Sequence, residues 1–211
     1  MYSPDYSLAT NAAYETLMMC SFTLPVKVLR IVKQFEDISI ISYSEAAKMT
    51  EKTFEEIKQH FESDFGFLSR DPHDPWKAVI FYNDQKSVHT IRFTIAHELG
   101  HYVLGHLTDD DVAKKEANCF ARNLLCPVSV GCTLRGNKIE GYMGLFNISE
   151  PMAKATVNLI QSDLYYITDK MHVHFSEEYE HYQFLELLKQ YFPLEDKPNT
   201  NKKAPYPAPT R

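Results

Sequence analysis

The sequence predicts an α+β fold in which helices outnumber strands. Two short runs rich in β-branched and aromatic residues, Ile38–Tyr43 (ISIISY) and Trp76–Tyr82 (WKAVIFY), read as strands. Most of the remaining chain shows apolar residues at helical spacing. With 211 residues, the chain is long enough to bury one substantial core.

The elements follow in order. Residues 1–22 carry weak signals and read as a flexible N-terminal arm. Val26–Phe35 (VKVLRIVKQF) has apolar residues at helical spacing with Lys and Arg on its other face. After the first strand, Thr53 and Glu56 form a capping-box pair ahead of Ile57 and Phe61, which starts a helix there. Asp71–Pro75 (DPHDP) is a break. Trp76–Tyr82 is the strongest strand candidate. If it lies at a sheet edge it can bind an extended chain by strand addition, with Phe81 or Tyr82 lining a cleft. Asn83–Ser87 makes the turn, and Ser87 caps a helix from about Val88 to Gly105. Asp109, Asp110 and Asp111 suit the start of the next helix, because acids there complement the helix dipole. That helix stops at Pro127. Lys138–Leu145, Glu150–Leu164 and Glu178–Phe192 read as helices, and Met171–Phe175 as a short strand. Five of the eleven prolines lie from Pro193 onward, so residues 195–211 read as a disordered tail. The expected division is therefore an arm (1–22), a core (23–127), a mainly helical C-terminal module (128–194) and the tail.

The net charge of −6 argues against a dedicated nucleic-acid binder, whose surface would be basic. The tail from Glu195 to Arg211 holds four of the cations and two acids, so the body is more acidic still. No apolar run is long enough to span a bilayer, and the start lacks the basic-then-apolar order of a secretory signal. A cytoplasmic protein with no membrane partner is expected. Cys20, Cys119, Cys126 and Cys132 show no CxxC spacing and read as reduced thiols rather than a zinc site. Cys20 has no surroundings that suggest an inhibitory thiolate.

The chemistry centres on His97-Glu98-Leu99-Gly100-His101. On a helix, residues i and i+4 share a face, so His97 and His101 can present ring nitrogens to one point, as two ligands of a catalytic metal. Glu98 is rotated by about 100° and stands beside that point, placed to act as general base toward a water there. Gly100 leaves room for close packing or substrate approach. Phe93, Ile95, Ala96, Leu99, Val103 and Leu104 surround the motif with apolar side chains, and polar groups in such a helix are costly unless paired or metal-bound.

The third ligand should come from a later element. His106 is five residues beyond His101, which on a continuing helix turns it off the ligand face. The longer HExxHxxGxxH pattern would need a histidine where Leu107 stands. Glu116 is the leading candidate, since it shares a largely apolar helix face with Val112, Cys119, Phe120 and Asn123. The alternatives are a salt bridge from Glu116 to Arg122 or Lys115, and one of Asp109–Asp111 as the ligand instead. A donor for developing negative charge is sought among Arg92, Tyr102, His106 and the C-terminal His172 or His174. Tyr82 is a candidate substrate contact. His172 and His174 form an HxH pair that suits surface or structural histidines better than a second metal. Two His and one carboxylate suit one divalent ion, Zn2+ in the first place, with Mn2+ or Fe2+ as alternatives.

The stretch RFTIAHELGHYVLGH, followed by EANCFARNLLCP and preceded by WKAVIFYND, resembles the ImmA/IrrE family of metallo-endopeptidases over about Trp76–Pro127. The resemblance implies a gluzincin-like metallopeptidase domain, with a small sheet packed on the HExxH helix and a C-terminal helical module. It implies His97, His101 and Glu116 as metal ligands and Glu98 as base. It also implies a protein substrate, a helix-turn-helix repressor whose cleavage relieves repression in a phage, mobile-element or stress-response system. KIEGYMGLFNISEPMAKATVNLI is similar to the family's helical module, but Asn158-Leu159 stands where an Arg-Leu pair is expected, which puts substrate contacts there in doubt. The competing reading is a non-catalytic or toxin–antitoxin-type regulator that binds a repressor or toxin with a structural metal site; intact His97, Glu98, His101 and Glu116 favour the enzyme. Direct DNA binding through the helices near Phe146 is disfavoured by the acidity.

Overall fold

A computed structural model describes residues 3–20, 23–134 and 138–191, with side chains described to Phe184 and at Glu186. The arrangement is mixed α+β, with a three-stranded sheet and surrounding helices. β1 (Ile38–Ser42), β2 (Gly66–Arg70) and β3 (Ala78–Tyr82) lie in the order β1-β3-β2. β1 runs parallel to β3 with Ile38 opposite Ala78, and β2 is antiparallel to β3 with Gly66 opposite Tyr82. The condition for strand addition on Trp76–Tyr82 is not met: β3 is central, because β2 pairs its second side. The sequence GFLSR hid β2, since Gly, Ser and Arg interrupt any apolar alternation.

Period-2 alternation along β3 divides the core. Ala78 and Ile80 are buried, Ile80 in the main core, whereas Phe81 packs with a smaller cluster built on Tyr43, Ala46, Ala47 and Ile57. That cluster belongs to α3 (Tyr43–Met49) and α4 (Phe54–Phe61), the latter opening on the expected Thr53–Glu56 capping box. α5 (Val88–Val103) packs against β2, β3 and the short α2 (Val28–Val32), and begins at Ser87, whose hydroxyl accepts the Thr90 N–H. α6 (Asp111–Leu125) lies along α5. The close approach depends on Gly100, where a Cβ would stand 3.0 Å from Phe120 Cδ1 and 3.3 Å from the Ala117 Cα.

The N-terminal segment is not a loose arm. α1 (Tyr6–Met18) is capped by Asp5, packs on α6, and buries Ala9, Ala13, Tyr14 and Leu17. Small residues make up half of that face, so its apolar signal was weak in the sequence. The C-terminal part comprises α7 (Val128–Gly131), α8 (Ile139–Phe146), α9 (Glu150–Tyr166) and α10 (Asp169–Tyr191). The expected strand at Met171–Phe175 is instead the start of α10. A buried ion pair, Arg122–Asp163 at 2.6 Å, ties α6 to α9. The expected tail lies outside the described residues. Among the described residues all four cysteines are free, and no helix is long and apolar enough to cross a membrane.

Candidate active site

α5 carries the HELGH run on a helix gripped on both sides, so its side chains have little freedom. The Nε2 atoms of His97 and His101 approach to 3.1 Å, with the two rings inclined at 75°. Two nitrogens that share a tetrahedral ion at about 2.0–2.1 Å each lie roughly 3.3 Å apart, so the pair fits a common metal. Burial lowers the pKa of both rings, that of His101 to about 4, which keeps the imidazoles neutral, as metal ligands must be.

Glu98 points into the same cleft. Desolvation pushes its carboxyl up to about 7, the negative charge of Asp109 adds to the rise, and the Leu68 N–H of β2 opposes it. A carboxyl that titrates near neutrality suits a general base.

The C-terminus of α5 shapes the rest of the site. Gly105 takes φ +69°, its N–H bonds the Tyr102 carbonyl, and the His106 N–H bonds back to the His101 carbonyl. This is the Schellman pattern, which reverses the chain after the last helical turn. The reversal lays His106 against His101, where a continued helix would have carried it away. Arg70, at the end of β2, donates Nη2 hydrogen bonds to the carbonyls of both His101 and His106. Asp110 is the N-cap of α6 and Asp111 lies in its first turn, which leaves Asp109 free of capping. Asp109 Oδ1 sits 3.6 Å from His101 Nε2, and its other oxygen pairs with Lys114 at 3.2 Å.

Glu116 is not brought to the His97–His101 pair. Its Oε2 is 2.8 Å from His106 Nε2, and its Oε1 accepts the Asp5 N–H at 2.7 Å. Among the described residues no three His, Cys, Asp or Glu side chains already enclose a metal position. The His97 and His101 nitrogens converge without a third donor beside them.

The remaining expected contacts separate. Arg92 donates to the carbonyls of Val26 and Phe146, which fixes α5 to the segment before α2 and to the end of α8 rather than serving the cleft. Tyr102 stacks edge-on against Phe35 and lies under the Arg70 guanidinium. Tyr82 is half-buried in the central strand, and neither it nor Phe81 lines the cleft, whose sheet wall is β2. His172 bonds Ser129 and His174 packs on Phe175, away from α5. Of the proposed donors, His106 alone lines the cleft. The cleft has a volume of about 1110 Å3 and runs from β2 past His97 and Glu98 to the start of α9 at Pro151 and Met152.

Comparison with protein-family models matches residues 53–150 to peptidase M78, described as the IrrE N-terminal-like domain. Residues 53–150 are a domain of the ImmA/IrrE type. The matched region takes in the sheet strands β2 and β3, the HELGH helix, α6 and the start of α9. The family is one of metallopeptidases, so a metal-ion cofactor and a protein substrate follow from membership. No curated protein matches the chain.

Proposed function

We propose that the protein is a metal-dependent endopeptidase that hydrolyses one peptide bond in a helix-turn-helix transcriptional repressor. The observation that carries the catalytic part is the meeting of three features in one cleft. These are the converging His97 and His101 nitrogens, the neutral-range carboxyl of Glu98, and the edge strand β2 alongside.

His97 and His101 would hold a divalent ion, with one carboxylate from the region joining α5 to α6 as the third protein donor. When bound, the ion supplies Lewis acidity, polarising the scissile carbonyl and acidifying a water. Glu98 accepts the proton from the attacking water and later delivers it to the leaving amine. The Leu68 N–H holds the Glu98 carboxyl beside the sheet edge. An extended substrate segment laid along β2 would pair with its free main-chain groups and carry the scissile bond past Glu98. A cleft of about 1110 Å3, walled by Phe67, Phe93 and Met152, is roomy enough for several residues of such a segment. The repressor as substrate rests on the family match, and a helix-turn-helix regulator, should one be encoded beside this gene, is the first to test.

The test is co-incubation of the purified protein with that regulator, with and without a chelator, and with Glu98→Gln in parallel. Cleavage by wild type alone, abolished by the chelator and by Glu98→Gln, supports the reading. Cleavage that survives Glu98→Gln contradicts it.

A further inference from the structure

One stripe of α6 faces the cleft. Lys114, Asn118 and Arg122 follow one another at helical spacing, and all line it together with β2. Asn118 stands beside His97. Arg122 lies one turn further on, about 6 Å along the helix axis.

The Arg122 guanidinium is firmly held and only partly used. Its Nε donates to Asp163 Oδ2 at 3.0 Å, and its Nη2 donates to Asp163 Oδ1 at 2.6 Å and to Cys119 Sγ at 3.6 Å. Arginine carries N–H groups on every guanidinium nitrogen, and among the described residues no acceptor meets Nη1. Asp163 takes the edge formed by Nε and Nη2, so the planar group turns Nη1 away from the ion pair. The side chain is 14% exposed, and it lines the cleft.

Charge decides what such a donor receives. Asp163, at 3% exposed, already balances the Arg122 charge. A second carboxylate in that desolvated place would bring a negative charge with no partner, whereas a neutral oxygen meets no such cost. Because other nitrogens already immobilise the side chain, capture of that oxygen loses little conformational entropy. A bound peptide offers such oxygens. In an extended chain the main-chain groups of successive residues point to alternate edges, so a segment paired with β2 through one edge leaves the carbonyls of its other edge turned outward.

Resting on the metallopeptidase reading above, we infer that Arg122 Nη1 is a substrate-binding donor that takes one of these outward main-chain carbonyls, with Asp163 positioning the guanidinium. An extended chain advances about 3.3 Å per residue, and the Arg122 side chain leans back along α6 toward Cys119, so the carbonyl lies within about two residues of the scissile bond.

The test uses two variants that both break the ion pair, of which only one removes the donor. Arg122→Met with Asp163→Leu replaces the pair by apolar side chains, and Asp163→Asn keeps the guanidinium. The probes are a phosphinic pseudopeptide, with the phosphinate in place of the scissile unit and two amide-linked residues on either side, and analogues in which one amide at a time is an (E)-alkene. Calorimetry on the full chain, zinc-loaded and chelated, gives the affinities, and urea unfolding shows that each variant is folded. In wild type one alkene should weaken binding by about 10–100-fold more than the others, the loss of a hydrogen bond to a charged group. Arg122→Met with Asp163→Leu should bind the parent probe more weakly by a similar factor and show no extra loss with that alkene. Asp163→Asn should keep the extra loss. An extra loss that persists without Arg122, one that disappears equally in Asp163→Asn, or a zinc-loaded wild type that binds no pseudopeptide overturns the assignment. If wild type takes up no zinc, the metallopeptidase reading fails instead, and the alkene series on chelated protein still reports whether Arg122 holds a carbonyl.

Discussion

Replacing Glu98 with Gln should stabilise the metal-free protein, and only at neutral to alkaline pH. Burial, reinforced by Asp109, raises this carboxyl from its ordinary value of 4.5 to about 7. A group whose folded pKa lies above its unfolded one binds its proton more tightly in the folded state. The stability this confers is complete below about pH 4.5 and is lost as pH rises through 7. By pH 8 the wild type has lost the whole of it. The gap between 4.5 and about 7, at about 1.4 kcal/mol per pH unit, comes to roughly 3 kcal/mol. Gln is neutral at every pH and keeps an oxygen to accept the Leu68 N–H. Urea unfolding in the presence of a chelator at pH 5 and pH 8 measures the effect. Glu98→Gln should match wild type within about 1 kcal/mol at pH 5 and exceed it by up to about 3 kcal/mol at pH 8. A difference that does not change with pH, or a wild type more stable at pH 8, would refute the account of Glu98 as a desolvated base.

Other perturbations probe the scaffold that holds the site. Arg70→Ala removes two hydrogen bonds to the carbonyls at the end of α5; a loss of about 1–3 kcal/mol is expected by chemical denaturation, with weaker metal binding in the same preparation. Gly100→Ala drives a methyl against Phe120 and the α6 backbone, and should lower stability by about 1–3 kcal/mol, read as a fall in Tm. Arg122→Ala strands Asp163, a side chain only 3% exposed, and should cost about 3–5 kcal/mol; Arg122→Ala with Asp163→Ala should recover part of that loss.

How much of this was legible in the sequence varied with local physics. The HELGH helix, its Ser87 cap and the Thr53 capping box were readable because each depends on near neighbours in the chain. α6 was readable for the same reason, with its start narrowed to Asp109–Asp111 and not to the capping residue itself. β2 was not, since GFLSR gains its strand character from pairing with β3 and from Gly66, where a Cβ would meet the Phe81 carbonyl at 2.4 Å. Without β2, the sequence left open an edge position that β3 does not occupy. α1 escaped notice because alanine supplies much of its buried face. The five-residue offset carries His106 off the ligand face only if α5 continues past it. Gly105 was the available signal that it does not, and a Schellman turn returns the fifth residue to the helix end. The sequence offers Asp109, Asp110 and Asp111 alike as capping acids or an alternative ligand, and the placement of Asp110 as the cap and Asp111 in the first turn sets Asp109 apart.

Metal content tests the central claim most directly. Protein purified without added metal and measured by elemental analysis should carry close to one equivalent of a divalent transition metal, and His97→Ala and His101→Ala should each lose it while remaining folded. Wild type that carries no metal and takes none up on titration, or variants that retain a full equivalent, would contradict the account.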